Sequence, residues 1–84
     1  MYKVVWKEKA KKQLAKLDKT TAEKIRNEVV NYLVKDPFNL GKPLLNAYKG
    51  LYRYKIGAYR VIYQIKETEL LIIVATAGHR REIY

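Results

Sequence analysis

The chain has 84 residues, enough for one domain with one core and no second. Its 49% hydrophobic content suits a globular fold, and eighteen Lys and Arg against eight Asp and Glu leave a formal charge of +10, which points to a polyanionic or acidic partner. The chain contains neither Cys nor Ser, which excludes a disulfide framework, a thiolate metal site and serine or cysteine nucleophiles, and makes the reducing cytoplasm the expected compartment. The longest apolar run, Leu70 to Ala77 with one Thr, is too short to cross a bilayer, so no membrane partner is expected. Met1-Tyr2-Lys3 leads straight into a strand-like run, so no signal peptide is expected either.

In chain order, Tyr2-Lys3-Val4-Val5-Trp6-Lys7 is rich in β-formers and predicts a first strand. Glu8 opens a charged helix in which Ala10, Leu14 and Leu17 recur at helical spacing. After a break at Asp18-Lys19, Thr20-Thr21-Ala22-Glu23 has the form of a capping box, with Thr20 as N-cap. The second helix carries Ala22, Ile25, Val29, Tyr32 and Leu33 on one face and should stop just before Pro37. The two helices predict an αα-hairpin laid on a sheet. Asp36 to Pro43, with two prolines, Asn and Gly, predicts a loop.

Three strands follow. The first, about Ala47 to Ile56, sets Tyr52, Tyr54 and Ile56 against Lys49, Leu51, Arg53 and Lys55 by alternation. Gly57-Ala58 fits a type II′ hairpin turn, and Tyr59 to Lys66 forms the next strand. With Glu67-Thr68 as the second turn, Leu70, Ile72 and Val74 join Tyr59, Val61, Tyr63 and Ile65 on the face under the helices. The fold class is therefore α+β. It has an N-terminal strand, an αα-hairpin and a three-stranded antiparallel meander, forming one mainly antiparallel sheet with helices on one face, in a single domain over 1–84.

From Pro37 through Lys66 there is no acidic residue, while Lys42, Lys49, Arg53, Lys55, Arg60 and Lys66 all lie there. The hairpin turn pairs Lys55 with Arg60 and puts Arg53 on the same face. Like charges directly opposite on a sheet are destabilising. A basic face can serve solubility alone, but three cations on one face of an acid-free segment argue for an anion site. The remaining chemistry is narrow. There is no Gly-rich phosphate loop, and the acids do not cluster as metal ligands. His79 is the single histidine, so no His-His metal spacing exists, and alone it reads more simply as a surface or capping side chain. Cleavage of RNA by its own 2′-hydroxyl needs only alignment, charge stabilisation and proton transfer, with no metal or cofactor. A lysine crowded by arginines can have its pKa lowered toward base duty. The same cations could equally hold a phosphate backbone without cutting it.

Two segments, Tyr52-Arg53-Tyr54-Lys55-Ile56-Gly57-Ala58-Tyr59-Arg60-Val61-Ile62-Tyr63 and Gly78-His79-Arg80-Arg81-Glu82-Ile83-Tyr84, carry a family likeness. The chain resembles the RelE toxins of the RelE/ParE toxin–antitoxin superfamily over nearly its whole length. The resemblance implies a cytoplasmic, ribosome-dependent, metal-independent endoribonuclease that cuts mRNA in the ribosomal A site and is silenced by a cognate antitoxin. It implies catalytic roles for Lys55, Arg60, Arg80 and Tyr84. Arg60 and Arg80 would stabilise the phosphate and the transition state, Lys55 would activate the 2′-hydroxyl or stabilise charge, and Tyr84 would stack on the base or act in proton transfer. Arg53, Lys49, His79 and Arg81 would bind RNA or its phosphates. The chain has Arg53 where some members have lysine, a better clamp than base, and His79 where some have lysine. The alternative within the superfamily is a ParE-like toxin that inhibits DNA gyrase without nuclease chemistry. Leu51, Ile62, Leu71 and Ile73 between the charges of the basic face predict a surface suited to an acidic and apolar antitoxin segment.

Overall fold

The computed structural model describes residues 2–79 and 81. The chain runs β1 (Lys3–Trp6), α1 (Glu8–Ala15), α2 (Lys19–Asn31), α3 (Pro37–Leu40), β2 (Lys42–Pro43), β3 (Tyr52–Ile56), β4 (Tyr59–Lys66) and β5 (Leu71–His79). The sheet order is β1-β5-β4-β3-β2, with β1 parallel to β5 and every other pair antiparallel. The α+β class, the first strand, the helical hairpin and the meander are as the sequence predicts. The sheet gains a fifth strand because Asp36 to Pro43 is not a plain loop. Pro37 starts a single helical turn, where its missing N–H costs nothing, and Lys42-Pro43 pairs with Arg53 and Tyr52. No helix among the described residues is long and apolar enough to cross a membrane.

The core lies between the helices and one sheet face. Ala10 and Leu14 of α1, and Ala22, Ile25 and Val29 of α2, pack with Leu33 and Val34 onto Ile56, Val61, Tyr63, Ile72, Val74 and Ala77. Trp6 and Leu17 pack against its margin. Two expectations shift here. Tyr32, placed on the buried face by helical spacing, is 54% exposed, because α2 ends at Asn31 and a short 3-10 turn, Leu33–Lys35, re-phases the chain. That change of pitch buries Leu33 and Val34 in its place. Leu70 is likewise exposed, since the second hairpin turn spans Glu67 to Leu70 and holds Leu70 at φ 52°.

The second helix begins two residues before the capping box. Asp18, not Thr20, is the N-cap; its carboxylate accepts from the Thr21 N–H at 3.1 Å and from the Thr21 hydroxyl at 2.6 Å. Aspartate is as good a cap as the sequence offers. Starting the helix at Lys19 leaves Ala22, Ile25 and Val29 on the core face.

Two features tie the edges together. On the β1 side, the Gln13 side chain accepts the Ala77 N–H at 2.9 Å, serving the ladder where β1 has ended. On the β2 side, the fully buried Tyr63 donates its hydroxyl to the Pro37 carbonyl at 2.6 Å. Burial pushes the Tyr63 hydroxyl pKa well above its ordinary value, so it stays a donor. Tyr52 stacks on Tyr63 at 5.6 Å between centroids, and Phe38 meets Tyr52 edge-on at 5.9 Å. Gly41 closes the corner: a Cβ there would meet the Tyr63 hydroxyl and lie 2.8 Å from the Arg53 carbonyl.

Two outcomes are expected. Tyr63→Phe leaves a buried carbonyl without its donor and should cost roughly 1–3 kcal/mol, lowering the thermal midpoint by about 4–8 °C per kcal/mol in a domain this size. An unchanged midpoint in a thermal scan would show that the bond contributes nothing. For the cap, hydrogen bonds from Thr21 hold the Asp18 carboxyl below its ordinary value of 3.8. Its contribution is complete above that value and is lost as pH falls through the depressed folded value. Asp18→Ala should therefore melt below the parent protein near pH 7, and the gap should narrow as pH falls through the depressed folded value; a gap of constant size would show that the charge is not what caps the helix.

Candidate nucleic-acid interface

The face of the sheet turned away from the helices is set by register. Gly57, at φ 61°, makes the tight turn that joins β3 to β4, which pairs Ile56 with Tyr59 and Lys55 with Arg60. Arg53 is two residues from Lys55 and so shares its face; it pairs with Ile62 on one side and with Lys42 on the other. The result is a staggered array of cations across three strands. Lys42 stands opposite Arg53, and one step along the strands Lys55 stands opposite Arg60. Like charges thus face each other twice, and such pairs repel across a sheet. Strands β2, β3 and β4 contain no Asp or Glu.

Arg53, Lys55 and Arg60 are therefore brought together as the sequence predicts. Lys49 is not. The strand expected from Ala47 starts only at Tyr52, because Asn46–Tyr48 form a 3-10 turn and Gly50 takes φ 97°, leaving Lys49 exposed at the C-terminal end of that turn. Leu51 falls outside the strand for the same reason. His79 is not with the array either. It pairs with Tyr59, whose face is the helix side, and its ring meets Tyr59 edge-on at 5.6 Å. The cause is a bulge in β5: Tyr63 pairs with Val74 but Ile62 pairs with Thr76, so Ala75 is an extra residue. Beyond it the alternation inverts, turning Ala77 into the core and His79 after it. Arg81 is exposed, and its backbone N–H donates to His79 Nδ1 at 3.3 Å. Arg80 and Tyr84 lie outside the described residues.

Sequence reasoning missed Lys42 as a member of the site. Its signal was weak, a lysine between Gly41 and Pro43 in a stretch that reads as a loop; only the Gly41 corner, pinned to Tyr63, makes it a strand residue facing Arg53. It also missed the separation of the face into two halves. The cations occupy β2, β3 and the start of β4. The aliphatics Leu71 and Ile73 of β5 pair with Lys3 and Val5 of β1, and Val5 is 45% exposed. Ile62 lies between the halves and is 5% exposed. Thr76 pairs with Ile62, and its buried hydroxyl is, among the described residues, a side-chain polar atom without a hydrogen-bond partner.

Such an array can neutralise a phosphodiester and hold it against a rigid sheet, and Arg offers two parallel donors to phosphate oxygens. Among the described residues, no three His, Cys, Asp or Glu side chains gather in a way that could hold a metal ion. Tyr54 is turned to the other face, where its hydroxyl donates to Glu28 at 3.1 Å; burial, then the Glu28 carboxylate, raises its pKa. That bond braces β3 against α2.

Comparison with known proteins agrees with this architecture. The chain is similar to Toxin RelG of Mycobacterium tuberculosis (strain ATCC 25618 / H37Rv), at 26% identity over 99% of this chain and 95% of that protein. Its fold is similar to the toxin–antitoxin complex RelBE2 of Mycobacterium tuberculosis, with a TM-score of 0.90 and 25% identity over 94% of this chain and 98% of that one. It is also similar to the isolated E. coli RelE toxin, with a TM-score of 0.76 and 26% identity over 100% and 92% of the two chains. The family model described as the ParE toxin of type II toxin–antitoxin systems matches residues 4–84. On that match the chain belongs to the ParE toxin family of type II toxin–antitoxin systems, within the RelE/ParE superfamily.

Proposed function

We propose that this toxin is a ribosome-dependent endoribonuclease that cuts mRNA in the A site and so inhibits translation. The observation that carries the reading is the register that sets Lys55 against Arg60 with Arg53 beside them. Three cationic side chains thus share one face of a rigid sheet, a surface suited to phosphate. Likeness to RelE structures and to Toxin RelG supports it.

In this reading the 2′-oxygen of the substrate forms a bond to the adjacent phosphorus while the bond from phosphorus to the 5′-oxygen breaks. One proton leaves the 2′-hydroxyl and one reaches the departing 5′-oxygen. Arg60 and Arg53 hold the non-bridging oxygens as charge builds on them, the differential interaction that lowers a barrier. Lys55, across from Arg60, assists the 2′-hydroxyl. Arg80 and Tyr84 complete the site as a second phosphate clamp and as a stacking or proton-transfer group. The chemistry uses no metal or cofactor held by the toxin itself. The aliphatic half of the same face, with the cations beside it, suits an antitoxin segment bearing acidic and apolar residues; RelBE2 is a toxin–antitoxin complex.

Induced expression followed by mapping of mRNA ends tests this directly. Wild-type protein should produce new ends at A-site codons, and Arg60→Ala should reduce them by about 100-fold or more, the usual scale for removing one group that stabilises transition-state charge. Intact mRNA accompanied by loss of DNA supercoiling would overturn the proposal in favour of gyrase inhibition.

A further inference from the structure

Beside the array, Leu40, Lys42, Arg53, Tyr54 and Lys55 surround a recess of about 150 Å³. It lies where β2 ends and β3 runs on past it, so α3 forms one wall and the basic face the other. Leu40 is 47% exposed on that wall. Its place is fixed by the α3 turn, in which the Leu40 N–H bonds the Asp36 carbonyl at 2.9 Å and the Asp36 carboxylate accepts from Asn39. Lys42 is held by its pairing with Arg53 and by the Gly41 corner packed on Tyr63.

We infer that this recess seats one nucleotide of single-stranded RNA next to the nucleotide being cut, with Lys42 binding its phosphate and Leu40 packing on its base. The inference rests on the proposed nuclease reading and extends its site to residues on α3 and β2. A volume near 150 Å³ is about that of a single six-membered ring. Three cations converge on it, whereas one acidic side chain brings one charge. The charge also continues. From Arg53, Lys55 lies one two-residue step along β3, about 6.6–6.8 Å away, and Arg60 stands opposite Lys55 on β4. A ligand that repeats its negative charge along its length, with an apolar ring at each unit, matches both the array and the Leu40 wall.

The test uses the intact toxin and an uncleavable single-stranded RNA carrying 2′-O-methyl groups, with binding measured across a salt series. Loss of one phosphate contact lowers the log–log salt slope by about 0.7, so Lys42→Ala should show that drop with roughly fivefold weaker binding. Lys42→Arg should restore both. Leu40→Ala should weaken binding with no change in slope, since it removes packing and no charge. Lys24→Ala, exposed on α2 away from this face, should change neither. If wild-type toxin cuts mRNA but Lys42→Ala binds RNA with the parent slope, the recess is not a nucleotide site and this inference alone falls. If wild-type toxin does not cut yet Lys42→Ala lowers the slope, the nuclease reading falls and the nucleotide site stands. Unchanged RNA binding with weakened capture of an acidic peptide would reassign the recess to a protein side chain and overturn the inference.

Discussion

The hydroxyl of Tyr63 and the carbonyl of Pro37 hold the basic half of the sheet in place. Tyr63 is a residue of the central β4 strand and is fully buried, so its bond to Pro37 anchors α3 from inside the core. With α3 fixed, Gly41 is pressed between the Tyr63 hydroxyl and the Arg53 carbonyl, a gap that accepts no side chain. The chain leaving that gap has one direction to take, along β3, and Lys42 arrives opposite Arg53. A single tyrosine in the core thus sets the outer edge of a surface on the other side of the sheet. Tyr52 and Phe38 thicken the same joint by stacking rather than by hydrogen bonding.

The opposite face answers to a different balance. Two like-charged pairs across adjacent strands oppose folding, while the apolar core beneath the helices favours it. The protein tolerates the arrangement because the same strands bury Val61, Tyr63 and Ile56 on their other side. A polyanion that binds only the folded form stabilises it by mass action. The stability of this domain is therefore linked to whatever negative partner occupies the face.

Most of the architecture was legible because two periodicities are clean. Alternation through Tyr52 to Lys66 fixed the strand faces, and Gly57 fixed the register that joins Lys55 to Arg60. Helical spacing found Ala10, Leu14, Ala22, Ile25 and Val29. What escaped was decided by interactions distant in sequence or by small changes of pitch. Thr20 satisfies the pattern of a cap, but Asp18 two residues earlier satisfies it better once Thr21 supplies both donors. Lys49 keeps the parity of Arg53 on paper, yet Gly50 and the preceding 3-10 turn break the strand before it. Lys42 could not be found from its neighbours at all, since its position depends on Tyr63, twenty-one residues further on. The displacement of His79 required knowing that β5 contains one residue more than its partner.

That extra residue, Ala75, gives β5 something like a reading frame. Upstream of it, even-numbered side chains face the helices; downstream, odd-numbered ones do. Removing Ala75 would close the bulge and leave Thr76 opposite Ile62 and His79 opposite Tyr59 with their faces unchanged, whereas pairing Ala75 with Ile62 in a regular ladder would shift everything beyond by one residue and exchange its faces. The bulge, more than the identity of the residue in it, therefore decides which side of the sheet Ala77 and His79 occupy.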